Sequence, residues 1–474
     1  MNKHIGIFWL REDFRLLKNE ALSYASQNHE QISVIYIYKK NDYIKREAQK
    51  WWLYESLKNF RKTLNKIKIN LEIIESSSYE KIFNEIINKN NFSLYWNKIY
   101  EPNFLNFDKK ISDILIQKKI PYKIFRGNLL NESNEIKKND GTPYKVFTHF
   151  WKNAEQFYLE KGYNKNTEIV PMKKKIEFFK SKFDVEEIKP KKMWYKKFTN
   201  YWIPSENEAL KKIKFFLTNN IKDYGINRDI PGIKGTSKIS PYLSLGQIHV
   251  ETIWEESQKI NKKGNGYRKY INELGWREFS YSLINYFPKM LKGNLRKEFD
   301  NFPWVENKTH LKAWKKGMTG YPIVDAGMRE LYETGWMHNR VRMIVASFLV
   351  KHLRIHWNEG EKHFKNCLVD YNEASNVAQW QWVAGCGADA APYFRIFNPI
   401  LQGEKFDKEG LYVKKWVPEL SKVPDKFLHK PWEVESKYQE VIKTIIGKDY
   451  PKPIVIHEKA RALALEAFQS LKKK

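Results

Sequence analysis

The chain has 474 residues, a formal net charge of +29 and 15% aromatic residues, among them 17 tryptophans. That length exceeds what one hydrophobic core usually supports, so two domains or one very large helical body are expected. Two cysteines, Cys367 and Cys386, exclude a disulfide framework and a four-cysteine cluster. No apolar run approaches the roughly 18 residues of a membrane span, and Met1–Leu10 lacks the long apolar core of a secretory leader, so a soluble, cytoplasmic protein is expected. The charge has two readings. Phosphate contacts favour basic surfaces, but Lys, Asn and Ile are enriched throughout, as an A+T-rich coding sequence produces. So many aromatic residues suit stacking on flat ligands or moving electrons, and large helical cores bury tryptophan as well.

In chain order, residues 4–10 read as a buried strand, 19–27 as a helix and 32–38 as a second strand. A long amphipathic helix follows at 47–66, then a strand at 69–74, a helix at 79–89, a strand at 93–96, a helix at 105–118 and a last strand at 121–125. This alternation predicts a doubly wound parallel sheet over residues 1–130. No GxGxxG follows the first strand, so a dinucleotide fingerprint is not supported. Residues 131–203 read as a connector over the surface, with one helix near 147–160. From 204 to 474 strand signals disappear, and helices are expected at 206–220, 241–257, 264–286, 309–315, 322–333, 336–354, 360–367 and 453–472.

Several groupings carry chemistry. The loop Gly235-Thr236-Ser237-Lys238-Ile239-Ser240-Pro241 suits a phosphate at a helix N-terminus, or ordinary N-capping. Glu273, Trp276, Arg277 and Ser280 fall on one helical face, where a buried carboxyl titrates high and can hydrogen-bond a carbonyl; the other reading is a surface ion pair. Arg342 and Asp370 are candidates for a buried pair, and Asn376 for a donor and acceptor to a ring edge. Trp304, Trp357 and Trp380 exceed what packing asks for. The densest stretch runs from Gly335-Trp-Met-His-Asn-Arg340 through Trp380-Gln-Trp-Val-Ala-Gly385 and residues 388–399 to Gln402-Gly-Glu-Lys-Phe-Asp407.

These residues, with Phe8-Trp9-Leu10-Arg11-Glu12-Asp13-Phe14-Arg15 at the start, resemble the photolyase/cryptochrome family over nearly the whole chain. The resemblance is closer to bacterial class I cyclobutane pyrimidine dimer photolyases. It implies an α/β antenna-type domain, a helical domain holding FAD, and light-driven repair of pyrimidine dimers in DNA by electron transfer to a flipped-out lesion. By position, Tyr224, Thr236, Ser237, Lys238, Ile239 and Ser240 resemble contacts to the flavin's phosphates and ribityl chain. Arg277, Asn339, Arg342, Asp370, Tyr371, Asn372 and Asn376 resemble the surroundings of its ring, with Asn376 facing N5. Glu273, Trp276, Asn339, Arg340, Met343 and Trp382 resemble the lesion pocket, Arg228 a phosphate contact, and Trp304, Trp357 and Trp380 an electron-transfer chain.

Asn339 and Met343 stand where (6-4) enzymes carry a histidine pair, which favours the cyclobutane lesion; the cysteine count excludes the iron–sulfur subgroup. With so little sequence after the final helix, a plant-type cryptochrome, which carries a long tail, is not expected. Lys238 replaces a common arginine and Asn372 a common aspartate. A second chromophore is expected to be a folate (MTHF) touching Glu101, with 8-hydroxy-5-deazaflavin or an empty site as alternatives. A monomer without metal is expected. The competing function is a blue-light receptor that holds FAD without repairing DNA.

Overall fold

The computed structural model describes residues 4–89, 91–162, 167–191, 193–260, 265–393 and 395–471. Lys192, Gly264, Phe394 and Lys472, which belong to stretches singled out above, lie outside the described residues. Five parallel strands, β1 (Ile5–Leu10), β2 (Ile32–Tyr38), β3 (Asn70–Glu75), β4 (Phe92–Asn97) and β5 (Tyr122–Phe125), lie in the order β3-β2-β1-β4-β5. Helices α1 (Glu20–Asn28), α2 (Glu47–Lys66), α3 (Tyr79–Ile87) and α4 (Pro102–Gln117) alternate with them. Alternate residues serve opposite faces. Ile7, Trp9, Ile35 and Trp96 pack with Phe83 and Ile111 in one cluster. Phe8, Leu10, Val34 and Tyr36 join the core that continues into the helical body. Burial on both faces is why β1 and β2 read as unbroken apolar runs.

The connector does more than cross the surface. Its helix α5 (Phe147–Lys161) forms as expected, and the chain after it seals the edge strand β3. The buried Glu72 carboxylate there accepts the backbone N–H groups of Phe178, Phe179 and Lys180 at 2.6, 2.9 and 2.7 Å. The Ser181 hydroxyl donates to the Ile73 carbonyl at 2.6 Å. An open edge is a template for unwanted pairing, and this covering removes it.

The helical body comprises α6 (Glu206–Asn219), α7 (Tyr224–Asn227), α8 (Ser240–Ser244), α9 (Val250–Gln258), α10 (Asn265–Tyr286), α11 (Lys308–Lys316) and α12 (Pro322–Thr334). It continues with α13 (Asn339–Ser347), α14 (Trp357–Cys367), α15 (Glu373–Ala384), α16 (Pro399–Phe406), α17 (Leu411–Trp416), α18 (Ser436–Val441) and α19 (His457–Ser470). Three expected helices are corrected, of which 453–472 begins only at His457. The segment 241–257 breaks at Gly246, whose φ of +66° is left-handed and whose Cβ would collide with the Glu12 carbonyl. Arg15 donates to the Gly246 carbonyl at 3.0 Å, so packing of the first domain dictates the break. The segment 336–354 starts only at Asn339, because Gly335 sits at φ +70° and the His338 ring caps the Arg340 N–H. It ends in a π-helical turn at Phe348–His352.

α15 had no counterpart in the sequence reading. Ala374, Asn376, Val377, Ala378, Trp380, Gln381, Val383 and Ala384 are buried around nearly its whole circumference, so it has no amphipathic stripe to detect. Its ends were nonetheless written in the chain, as Asn372 capping the Ser375 N–H at 3.0 Å and Gly385 at φ +86°.

Candidate active site

α10, α13, α15 and the 235–240 loop surround a cavity of about 490 Å³, a volume usual for ligand sites. Tyr224, Thr236, Ser237, Lys238, Ile239, Ser240, Arg277, Asn339, Arg342, Asp370, Tyr371, Asn372 and Asn376 all line it. Arg228, Glu273, Trp276, Arg340, Met343, Trp380 and Trp382 line the same space. Residues from 224 to 382, scattered over the sequence, therefore meet around one cavity.

At its inner wall, Arg342 and Asp370 form the expected pair, Nη2 to Oδ2 at 2.7 Å, with the Asp370 side chain almost fully buried. The Ser240 hydroxyl donates to the same oxygen at 2.7 Å, while Oδ1 is buried without a partner. A buried acceptor of this kind is costly unless something fills the space and donates to it. Asn376 donates through Nδ2 to Glu361 Oε1 at 2.9 Å, which leaves its carbonyl oxygen for the cavity. Asn372 donates to the Tyr281 hydroxyl at 2.6 Å, and Tyr281 in turn to Glu101 at 3.4 Å. Arg277 gives one N–H to the Asn128 carbonyl at 2.6 Å, so it joins α10 to the first domain as well as lining the cavity.

The carboxyl of Glu273 is reached by Arg228 at 2.7 Å. Burial pushes its pKa up and Arg228 pulls it down, with burial prevailing. With its side chain 31% exposed, Glu273 is neither a closed core carboxyl nor a free surface ion pair; it is a partly exposed group held by Arg228. Arg340 is paired with Asp229 at 2.7 Å, lies over the Phe406 ring at 4.5 Å and approaches the Met343 sulfur. Trp276 stacks on Phe147 with ring centroids 3.9 Å apart and planes within 6°.

Trp380 is buried on the cavity wall, and its indole lies over Gly360, one turn along α14 from the fully buried Trp357. The Trp357 Nε1–H donates to Asn294 at 2.8 Å. His356 bridges onward, 5.5 Å from the Trp357 ring and 4.9 Å from the Trp304 ring. Trp304 and Trp357 lie outside the cavity lining.

Glu101 is apart from the cavity and turned inward, only 8% exposed. A small hollow at the strand ends, lined by Trp9, Glu12, Tyr43, Arg46 and Tyr79, holds about 50 Å³. Glu361, Asp229 and Phe147 escaped sequence reasoning. Each acts through another side chain, and nothing in the linear pattern ties 361 to 376, 229 to 340 or 147 to 276.

Comparison with known proteins matches residues 6–171 to the family model described as DNA photolyase, and residues 270–470 to the FAD binding domain of DNA photolyase. The chain is 41% identical to the deoxyribodipyrimidine photo-lyase of Agrobacterium fabrum, with 98% of each chain covered. It is similar to the solved bacterial class III photolyase of Agrobacterium tumefaciens at a TM-score of 0.94 and 39% identity, covering 100% of this chain and 99% of that one. The Synechocystis cryptochrome superposes at a TM-score of 0.88 with 26% identity, covering 98% and 100%.

Proposed function

Because the chain belongs to the photolyase/cryptochrome family, we propose that it is a light-driven DNA-repair enzyme, a deoxyribodipyrimidine photo-lyase that splits cyclobutane pyrimidine dimers. The observation that carries this reading is that Glu273, Trp276, Asn339, Met343 and Trp382 share one cavity with the residues expected to hold a flavin. The chain then divides into an α/β domain over 1–130, a connector over 131–203 and a catalytic helical domain over 204–474. The likeness to the solved class III photolyase supports reading the chain as a member of that class in place of the class I expected from sequence.

FAD fits the cavity. The hydroxyl-rich 235–240 loop suits its phosphates, and Asp370 Oδ1, buried without a partner, is an acceptor for a ring or ribityl donor. When bound, FAD supplies absorption of blue light and donation of one electron to the lesion; the redox chemistry is the cofactor's. The chain's residues do the rest. Glu361 holds the Asn376 amide through its Nδ2–H, so that the Asn376 carbonyl oxygen would be free to accept from a ring N–H of a bound flavin. Basic side chains grip the backbone while the dimer is flipped out, as the general account of base-flipping enzymes, photolyases included, holds. Trp276 and Trp382 offer aromatic faces to the splayed bases. Glu273, held by Arg228, would hydrogen-bond a dimer carbonyl in its protonated form, where negative charge develops. Arg228 and Arg340 reach phosphates only by sharing or exchanging Glu273 and Asp229. Trp304, Trp357 and Trp380 pass electrons from the surface toward the cavity.

The test compares two lesions. Purified protein carrying a flavin spectrum, reduced and illuminated, is expected to repair oligonucleotides with a cyclobutane dimer and to leave a (6-4) product unchanged. Repair of the (6-4) product alone would refute the lesion assignment. Flavin binding without repair of either would favour the receptor reading that the Synechocystis likeness keeps in view.

A further inference from the structure

We propose that Phe147, from the connector, is a positioning residue for lesion recognition: it braces one face of the Trp276 indole so that the other is presented to the flipped bases. The inference rests on Trp276 being a lesion contact. At 3.9 Å and 6°, the Phe147–Trp276 pair is a close, nearly parallel ring stack. Trp276 lines the cavity and Phe147 does not, so the stacked face is the one turned from the ligand space. Phe147 is itself buried and meets Phe279 edge-on at 6.1 Å.

The approach of α5 to α10 is built into the sequence at Gly275. A Cβ there would lie 2.8 Å from both Cε2 and Cε3 of Trp151, so any larger residue would push α5 away. Phe147 precedes Trp151 by four residues, hence lies on the same helical face one turn earlier. That turn falls on Trp276, the residue after Gly275.

A second contact ties this brace to the opposite wall. Val146 caps α5 without a side-chain acceptor, and the free Phe147 N–H instead donates to Asp389 Oδ2 at 3.1 Å. A carboxylate is favourable at a helix N-terminus. Asp389 holds φ at +47°, a strained conformation for a non-glycine residue. It belongs to the loop that leaves α15, where the Ala391 N–H returns to the Trp382 carbonyl at 3.2 Å. One residue of the connector thus holds Trp276 directly and is fastened to the loop that packs back on Trp382. An unbraced indole would have to be ordered when the lesion enters, at a cost to affinity.

The experiment uses full-length, flavin-loaded protein and measures dissociation constants for a dimer-containing oligonucleotide and its undamaged twin. Phe147→Leu is expected to weaken dimer binding about threefold to tenfold, the usual worth of an aromatic stack. Undamaged binding and flavin content are expected to hold, and Phe147→Tyr to restore dimer affinity. Asp389→Ala, which frees the loop without touching the stack, is expected to give a smaller loss in the same direction and serves if Phe147→Leu fails to fold. Equal weakening on both oligonucleotides, or no loss with Phe147→Leu while Trp276→Ala abolishes discrimination, would overturn the role of Phe147. If Trp276→Ala leaves discrimination intact, the reading of Trp276 itself fails, and the brace with it.

Discussion

Replacing Arg342 by alanine leaves the Asp370 carboxylate buried beside the cavity without its cation. The pair is close, at 2.7 Å, and the aspartate side chain is 2% exposed, while the arginine side chain is 24% exposed. Removing one partner of a buried pair typically costs 3–5 kcal/mol. The Ser240 hydrogen bond survives and the arginine is partly solvated, so the low end applies, about 3 kcal/mol. Asp370→Asn alone leaves Arg342 with its bond to the Met337 carbonyl at 2.8 Å and costs less. The double variant removes the stranded charge, so it is expected to be more stable than the sum of the singles by about 1 kcal/mol or more. Denaturant midpoints of the four proteins measure the cycle, and flavin bound per chain measures the site. A cost below about 1 kcal/mol for Arg342→Ala, or strict additivity in the double variant, would refute a buried, coupled pair.

Gly360→Ala places a methyl 2.6 Å from Trp380 Cζ2, so either the indole or α14 must move. A loss of about 2 kcal/mol in denaturant stability is expected from overpacking, with weaker flavin retention; wild-type stability would contradict the close approach. Trp304→Phe is expected to slow photoreduction of the flavin and to leave repair by pre-reduced enzyme intact; unchanged photoreduction would remove Trp304 from the chain. Burial and the charge of Glu373 raise Glu101 to about 7, and burial with Glu101 raises Glu12 to about 8. The folded protein therefore keeps protons that the unfolded chain has lost, and stability falls as pH rises from about 4.5 through 8. Glu101→Gln is expected to flatten that slope below about pH 7, as read from denaturant midpoints across the range; an unchanged slope would reject it.

The α/β half was legible almost residue by residue. Fully buried parallel strands such as β2 are unbroken apolar runs, and α2 has a clear amphipathic period. The break at Gly246 was not legible, because its cause is the Glu12 carbonyl on another element far away in sequence. α15 was hidden for the opposite reason, being buried on nearly all sides. In the site, the Arg342–Asp370 pair and the face carrying Glu273 and Trp276 could be read from residue type and helical spacing. Glu361, Asp229 and Phe147 could not, since each earns its place through a partner more than ten residues away.

The central claim is light-driven repair, and counting cyclobutane dimers tests it most directly. Ultraviolet-irradiated DNA is incubated with reduced, flavin-loaded protein, and the remaining dimers are quantified after blue light and after an equal time in darkness. The account predicts a fall in dimer content under light and none in the dark. Equal dimer content in the two samples would contradict it.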